Sequence, residues 1–151
     1  MSELTRAKLP KWMQDHLKAY LETNGETGHL YDASAMGGPK AVPSLILTTK
    51  GRKSGQDLML PLFYGETDDG KPVVVASKGG APEHPAWYLN LEANPEVQVQ
   101  IKADKYRARA RTTSGAERAK LWEKMNIIWP PYESYQKKTA REIPVVVLER
   151  L

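Results

Sequence analysis

The chain has 151 residues, 40% hydrophobic and 26% charged, with a formal net charge of +4. That is enough for one domain with a real core and too apolar for intrinsic disorder. It has no cysteine, which excludes disulfides, thiol nucleophiles, cysteine-ligated zinc and iron–sulfur clusters. The charge is mild and scattered, so it makes no case for nucleic acid and suits an anionic small molecule or an anionic membrane surface.

No apolar run approaches the roughly 18 residues of a membrane span. Residues 1–10 lack the apolar centre of a secretory signal, so the expected location is the cytoplasm. Residues 1–8 read as a flexible terminus and 9–151 as a single domain. Pro10 suits the first turn of a helix. Leu9, Trp12, Met13, Leu17, Tyr20 and Leu21 recur at helical spacing, and Asn24-Gly25 is a C-terminal stop. This amphipathic helix either packs on the domain, covers a site or lies on the inner face of a membrane.

Residues 26–40 are rich in Gly, Ser, Asp and Pro and read as loop, with His29 a solvated side chain. The run SLILTT (44–49) predicts a strand. A turn with three cations and two glycines, KGRKSG (50–55), follows it. Residues 58–64 return as a second strand, which Pro61 places at an edge or bulge. Asp68-Asp69-Gly70 turns the chain into Val73, Val74 and Val75, the composition of a buried strand. Then come Ser77-Lys78-Gly79-Gly80 and a short helix opened by His84-Pro85. Strand, glycine loop, cation and helix start together present N–H groups and positive charge to an anion. An ordinary strand-to-helix connection has the same composition.

Val97, Val99 and Ile101 alternate with glutamines as a half-buried strand. Its hairpin partner carries Arg107, Arg109 and Arg111 on one solvated face. Ser114 to Glu117 has the spacing of a capping box, and Leu121, Trp122, Met125, Ile128 and Trp129 continue at helical spacing. Pro130-Pro131 ends that helix, a short helical piece begins at Tyr132, and PVVVLE (144–149) is a final buried strand. The tally is about six strands and three or four helices without regular βαβ alternation. The predicted class is α+β, a mainly antiparallel barrel or sheet with helices packed outside.

Walker, dinucleotide and nucleophile-elbow motifs are absent, and His16, His29 and His84 lack metal-ligand spacing. The chain therefore carries no self-sufficient catalytic apparatus, and a cofactor is expected to perform the difficult step.

LTTKGRKSGQ (47–56), PLFY (61–64), the stretch from Val73 through HPAWYLNL to Ile101, and WPPYESYQKKTAREIPVVVLE (129–149) together resemble the deazaflavin-dependent nitroreductase family. These are split β-barrel proteins, FMN-binding-like in fold, that use coenzyme F-420, an 8-hydroxy-5-deazaflavin. The resemblance implies a reductase that passes hydride to a small-molecule acceptor: a quinone, an activated alkene or a nitroaromatic. By match to the motifs, Arg52, Lys53, Ser54 and Gly55 would hold the coenzyme's phosphate, and Lys78 its phosphate or anionic tail. Met59, Leu60, Pro61, Leu62, Phe63 and Tyr64 would line the ring, with Val75, Ala76, Ser77 and Lys78. Ala86, Trp87, Tyr88, Leu89 and Asn90 would complete that lining. Trp129, Tyr132 and Tyr135 would form the substrate side, with Tyr132 or water as proton source, Ser77 near the hydride-donating carbon and Tyr135 beside them. Family members of the nitroreductase type commonly have Tyr where this chain has Trp129. Two other readings of the same residues are an FMN-binding split-barrel oxidoreductase and a non-catalytic deazaflavin carrier. Monomer and homodimer are both left open.

Overall fold

A computed structural model describes residues 9–151; the expected flexible terminus, residues 1–8, lies outside the described residues. The chain runs α1 (Lys11–Thr23), β1 (Leu30–Tyr31), β2 (Val42–Lys50), β3 (Asp57–Phe63), β4 (Gly65–Glu66), β5 (Pro72–Val75), α2 (Ala86–Ala93), β6 (Glu96–Ile101), β7 (Asp104–Thr112), α3 (Gly115–Ile128), α4 (Pro131–Lys138) and β8 (Val145–Arg150). One sheet curls in the order β1-β2-β6-β7-β8-β5-β4, with β3 paired along β2 from Ser44 to Lys50. Every strand pairing in it is antiparallel. This is the expected α+β split barrel, with eight strands rather than about six. The two extra strands, β1 and β4, are two residues long, too short to leave a period in the sequence.

Alternation along the strands sorts side chains into two cores. Leu45, Leu47, Leu60, Val74, Val146 and Leu148 fill the barrel with Trp87 and Leu91 of α2. Val73, Val75, Val145 and Val147 face the other way, onto Leu121, Met125, Trp129 and Tyr132 of the α3–α4 segment. The valine run is thus buried on both faces, as its composition predicts. Pro61 stands opposite Ile46 in β3, whose recorded partner is β2 alone, so its missing N–H falls at an edge.

Helix α1 starts at Pro10 and stops at Asn24, which is left-handed (φ 50°) and sends its N–H to the Tyr20 carbonyl. Leu17 and Tyr20 bury against Ile46 on the outer face of β2, worth about 1.5–3 kcal/mol for each large side chain. The Tyr20 hydroxyl donates to the Ser44 carbonyl at 3.1 Å and accepts the Lys102 N–H at 2.8 Å. The hydroxyl thereby ties the helix to the β6–β7 turn.

Three sequence expectations need correction. The capping box at Ser114 does not form, since Ser114 makes no side-chain cap bond. Arg111 takes both Glu117 carboxylate oxygens instead, at 2.7 and 3.0 Å, a stronger charge-assisted fork. His29 is not simply solvated: its Nε2 lies 2.9 Å from the Tyr64 hydroxyl. The 26–40 loop also contains β1 and one 3-10 turn, Ser34–Met36.

Candidate active site

A cavity of about 740 Å³ opens at the mouth of the barrel, a size suited to a drug-sized or cofactor-sized ligand. Four segments build it: the β2–β3 turn, the edge strand β3, the β5–α2 loop, and the junction of α3 with α4. Helix α1 covers part of it with Trp12, Met13 and His16, joined by Leu9 just before the helix. The helix both packs on the domain and covers the cavity.

Three cations, Arg52, Lys53 and Lys78, line the cavity. In the β2–β3 turn, the Gly55 N–H closes on the Gly51 carbonyl at 2.9 Å, and the Gly51 N–H on the Gln56 carbonyl at 2.7 Å. This projects Arg52 and Lys53 beside Ser54 at the rim. Asn90 of α2, 4% exposed, fixes the direction of Arg52. Its Oδ1 accepts from the Arg52 backbone N–H at 3.2 Å and from Nη1 at 3.1 Å, while its Nδ2 donates to Thr49 Oγ1 at 3.1 Å. Lys53 has no ion-pair partner among the described residues. Lys78 stands across the mouth, with its ammonium 2.9 Å from Glu83 in an exposed pair.

The β5–α2 loop forms the next wall. Lys78, Gly79 and Gly80 all have positive φ (46°, 63° and 85°). A Cβ on Gly80 would lie 2.7 Å from the Tyr135 carbonyl, so only glycine lets this loop close on α4. Behind the loop, Arg141 donates to the carbonyls of Ala76, Ser77 and Ala81 at 3.2, 2.8 and 2.9 Å. Pro85 starts α2 in extended backbone, and Pro85, Ala86 and Trp87 face the cavity.

The junction of α3 with α4 supplies an aromatic wall. Trp129 lies 4.9 Å from Phe63, centroid to centroid, and is 4% exposed. Its indole fits because residue 38 has no side chain: a Cβ there would lie 2.2 Å from the ring. Tyr132 meets Tyr135 edge-on at 6.3 Å. Burial, then the neighbouring Tyr135, raises the Tyr132 phenol far above the ordinary tyrosine range, so it stays protonated.

Most residues that the sequence singled out converge on this cavity: Arg52, Lys53, Ser54, Leu60, Pro61, Leu62, Phe63, Val75, Ser77, Lys78, Ala86, Trp87, Asn90, Trp129, Tyr132 and Tyr135. Others stand off its wall. Met59 packs on the α1 cluster and Ala76 sits in the barrel core. Tyr64 reaches His29, the Tyr88 hydroxyl lies 2.8 Å from Thr112 Oγ1, Gly55 serves the turn's backbone, and Leu89 is half-buried on α2. Sequence reasoning missed His16, Met36 and Gln56 in the wall and Arg141 behind it. A lone arginine in a polar loop carries no periodicity, so Arg141 left no signal.

Among the described residues no cluster of His, Cys, Asp or Glu is placed to hold a metal, and no helix is long and apolar enough to cross a membrane. The donor set fits a flat, tailed, anionic coenzyme, since apolar strand and indole surface, loop backbone and three cations all line the cavity.

An antiparallel split barrel with a cation-rimmed, aromatic-ended cavity defines a class of small oxidoreductase whose hydride chemistry belongs to a bound coenzyme. Within that class, the chain belongs to the F420H(2)-dependent quinone reductase family, whose model matches residues 12–150. It is similar to the F420H(2)-dependent quinone reductase Rv1261c of Mycobacterium tuberculosis (strain ATCC 25618 / H37Rv), 35% identical over 154 aligned positions. That match covers 94% of this chain and 98% of the relative. A solved F420-H2 dependent reductase, FDR-A, is 44% identical with a TM-score of 0.65, covering 71% of this chain and 94% of that one. Another solved structure, described as a domain-swapped dimer, is 38% identical with a TM-score of 0.68, covering 92% of this chain and 98% of that one. The protein is therefore an enzyme of the coenzyme F-420-dependent reductase type, and its acceptor class is the quinones.

Proposed function

We propose that the coenzyme's anionic tail lies on Arg52, Lys53 and Lys78, its ring on the β3 and β5–α2 walls, and the quinone against Trp129, Tyr132 and Tyr135. The observation that carries this reading is the make-up of the cavity wall, which brings three cations (Arg52, Lys53 and Lys78) and three aromatic rings (Trp129, Tyr132 and Tyr135) to one cavity. When bound, reduced F-420 supplies a hydride to the acceptor.

The protein's own groups prepare that transfer. Arg52 is already aimed by Asn90, so it loses little side-chain entropy on meeting a phosphate. Lys78 exchanges Glu83 for a ligand anion at small cost, because an exposed pair is worth about 0–1 kcal/mol. The aromatic end holds a flat acceptor by stacking and excludes water, and proximity supplies much of the rate. Tyr132 donates a hydrogen bond from its hydroxyl to the quinone oxygen that gains charge. Its raised pKa opposes full proton transfer, so the proton that completes the hydroquinone comes from water. Ser77 and Tyr135 hold the acceptor from the two flanks.

Activated alkenes and nitroaromatics share the flat, electron-poor character of quinones and would enter the same space. Trp129 takes the place of a tyrosine hydroxyl with a larger apolar face, which favours quinones over nitroimidazoles. The test mixes the protein with reduced coenzyme and menadione and follows the coenzyme's visible absorbance. Rapid oxidation is expected; no turnover across several quinones would remove the proposed site. The same assay run on an enone and a nitroimidazole ranks the acceptors.

Peripheral contact with the inner membrane face through α1 is tested by liposome flotation. Trp12, 41% exposed at the cavity mouth, is the side chain that would make the contact. Light scattering distinguishes monomer from homodimer.

A further inference from the structure

We propose that Arg141 is a positioning residue for coenzyme binding: from behind the β5–α2 loop it turns the N–H groups of Ser77 and Lys78 into the cavity. The inference rests on the reading that this cavity holds the coenzyme.

Arg141 is not part of the cavity wall, yet its guanidinium binds the loop that is. Nη1 donates to the Ala76 carbonyl at 3.2 Å, Nη2 to the Ser77 carbonyl at 2.8 Å, and Nε to the Ala81 carbonyl at 2.9 Å. Nη1 also lies 3.1 Å from His84 Nδ1, so that nitrogen accepts and His84 carries its proton on Nε2. Three carbonyl oxygens that converge on one cation set the orientation of three successive parts of the loop.

The consequence follows from the planar trans peptide. Its C=O and N–H point in opposite directions. With the Ala76 and Ser77 carbonyls drawn back to Arg141, the N–H groups of Ser77 and Lys78 point away from it. Ser77 and Lys78 line the cavity on that side. Among the described residues neither N–H has a hydrogen-bond partner, nor does that of Gly79, whereas those of Ala76, Gly80 and Ala81 are bonded. Adjacent unbonded donors such as those of Ser77 and Lys78 at a cavity wall are suited to the carbonyl and deprotonated nitrogen edge of a pyrimidine-like ring, or to a phosphate oxygen. The arrangement also holds Lys78 in left-handed backbone (φ 46°), which an L-residue does not adopt without support.

The first measurement needs no variant. Amide exchange in the wild-type protein is expected to be fast at Ser77 and Lys78 and to slow on adding oxidised coenzyme. If the coenzyme binds and these two amides stay unprotected, the proposal is wrong. If the coenzyme does not bind at all, the cavity assignment itself fails, which is a separate outcome.

The second measurement uses Arg141→Ala, Arg141→Lys and Thr113→Val. Thr113→Val removes a buried hydrogen bond to the Val145 carbonyl away from the loop and serves as a stability control. Arg141→Ala is expected to weaken coenzyme binding about tenfold or more, with quinone KM at saturating coenzyme changed by less than about twofold. Arg141→Lys recovers part of the loss, because an ammonium cannot fork to three carbonyls. Guanidinium ion added at millimolar concentration restores binding to Arg141→Ala but not to a variant lacking Arg52. Wild-type affinity in Arg141→Ala, or a loss matched by Thr113→Val and not restored by guanidinium, would overturn the proposal.

Discussion

Asn90 organises the charged end with one amide. Its oxygen holds both the backbone and the guanidinium of Arg52, and its nitrogen is spent on Thr49. Aspartate could keep the oxygen but would lose the donor, and leucine would lose both. At the aromatic end the corresponding residue is Tyr132, buried among Trp122, Trp129 and Tyr135. If its hydroxyl bonds the acceptor mainly in the transition state, Tyr132→Phe lowers kcat about tenfold. Coenzyme affinity should stay within about twofold of wild type. Steady-state kinetics with menadione, paired with a coenzyme titration, checks this. An equal loss in both would place the hydroxyl on the coenzyme instead. Tyr132 was legible only through the family motif, since Tyr132 and Tyr135 at i and i+3 would equally share a packing face.

At the scale of elements, α1 lines the cavity with Trp12, Met13 and His16, and its buried titratable group is His16. Its Nε2 donates to the Gly28 carbonyl at 2.8 Å, and Nδ1 is buried without a hydrogen-bond partner. Burial depresses the His16 pKa and outweighs the raising effect of that bond. The unfolded chain therefore takes up the proton first as pH falls. Stability from the neutral imidazole is complete above the ordinary histidine pKa and is lost progressively below it. Thermal melts should show Tm falling from neutral pH to about pH 5, and falling less in His16→Gln. An unchanged slope would mean that other groups govern the transition. The helix itself was readable from apolar spacing, and its covering role was among the readings that the pattern allowed. The 26–40 segment was not readable. A two-residue strand and a single 3-10 turn hold no period, and the fit of Gly38 against Trp129 depends on contacts 91 positions apart in sequence.

The molecule as a whole joins a barrel to an outer α3–α4 layer, and one exposed carboxylate links them. Asp68, in the β4–β5 turn, accepts from Lys120 and, at 2.6 Å, from Lys124 of α3. The Lys120 bond, then that of Lys124, holds its pKa down to about 2. A depressed carboxylate stabilises above its unfolded pKa and loses that contribution as pH falls through the folded value. Asp68→Asn should therefore melt at a lower temperature than wild type at neutral pH, and the difference should vanish near pH 2. A difference that persists in acid would point to the turn's own geometry rather than the charge. The architecture was largely legible, because strand alternation and the glycine-rich turns survive in the sequence. Which side chains face the cavity was less so, since Met59, Tyr64 and Tyr88 sit within matching motifs yet pack elsewhere.

The most direct test of the account is a titration with coenzyme F-420 that follows quenching of tryptophan fluorescence, since Trp12, Trp87 and Trp129 all line the cavity. Wild-type protein is compared with Arg52→Met/Lys53→Met across a range of salt. Loss of two charge-assisted contacts at the rim predicts weakening of about 100-fold or more at low salt, with a salt dependence flatter than that of wild type. Equal affinity and equal salt dependence in the two proteins would mean that the anionic tail does not lie on this turn.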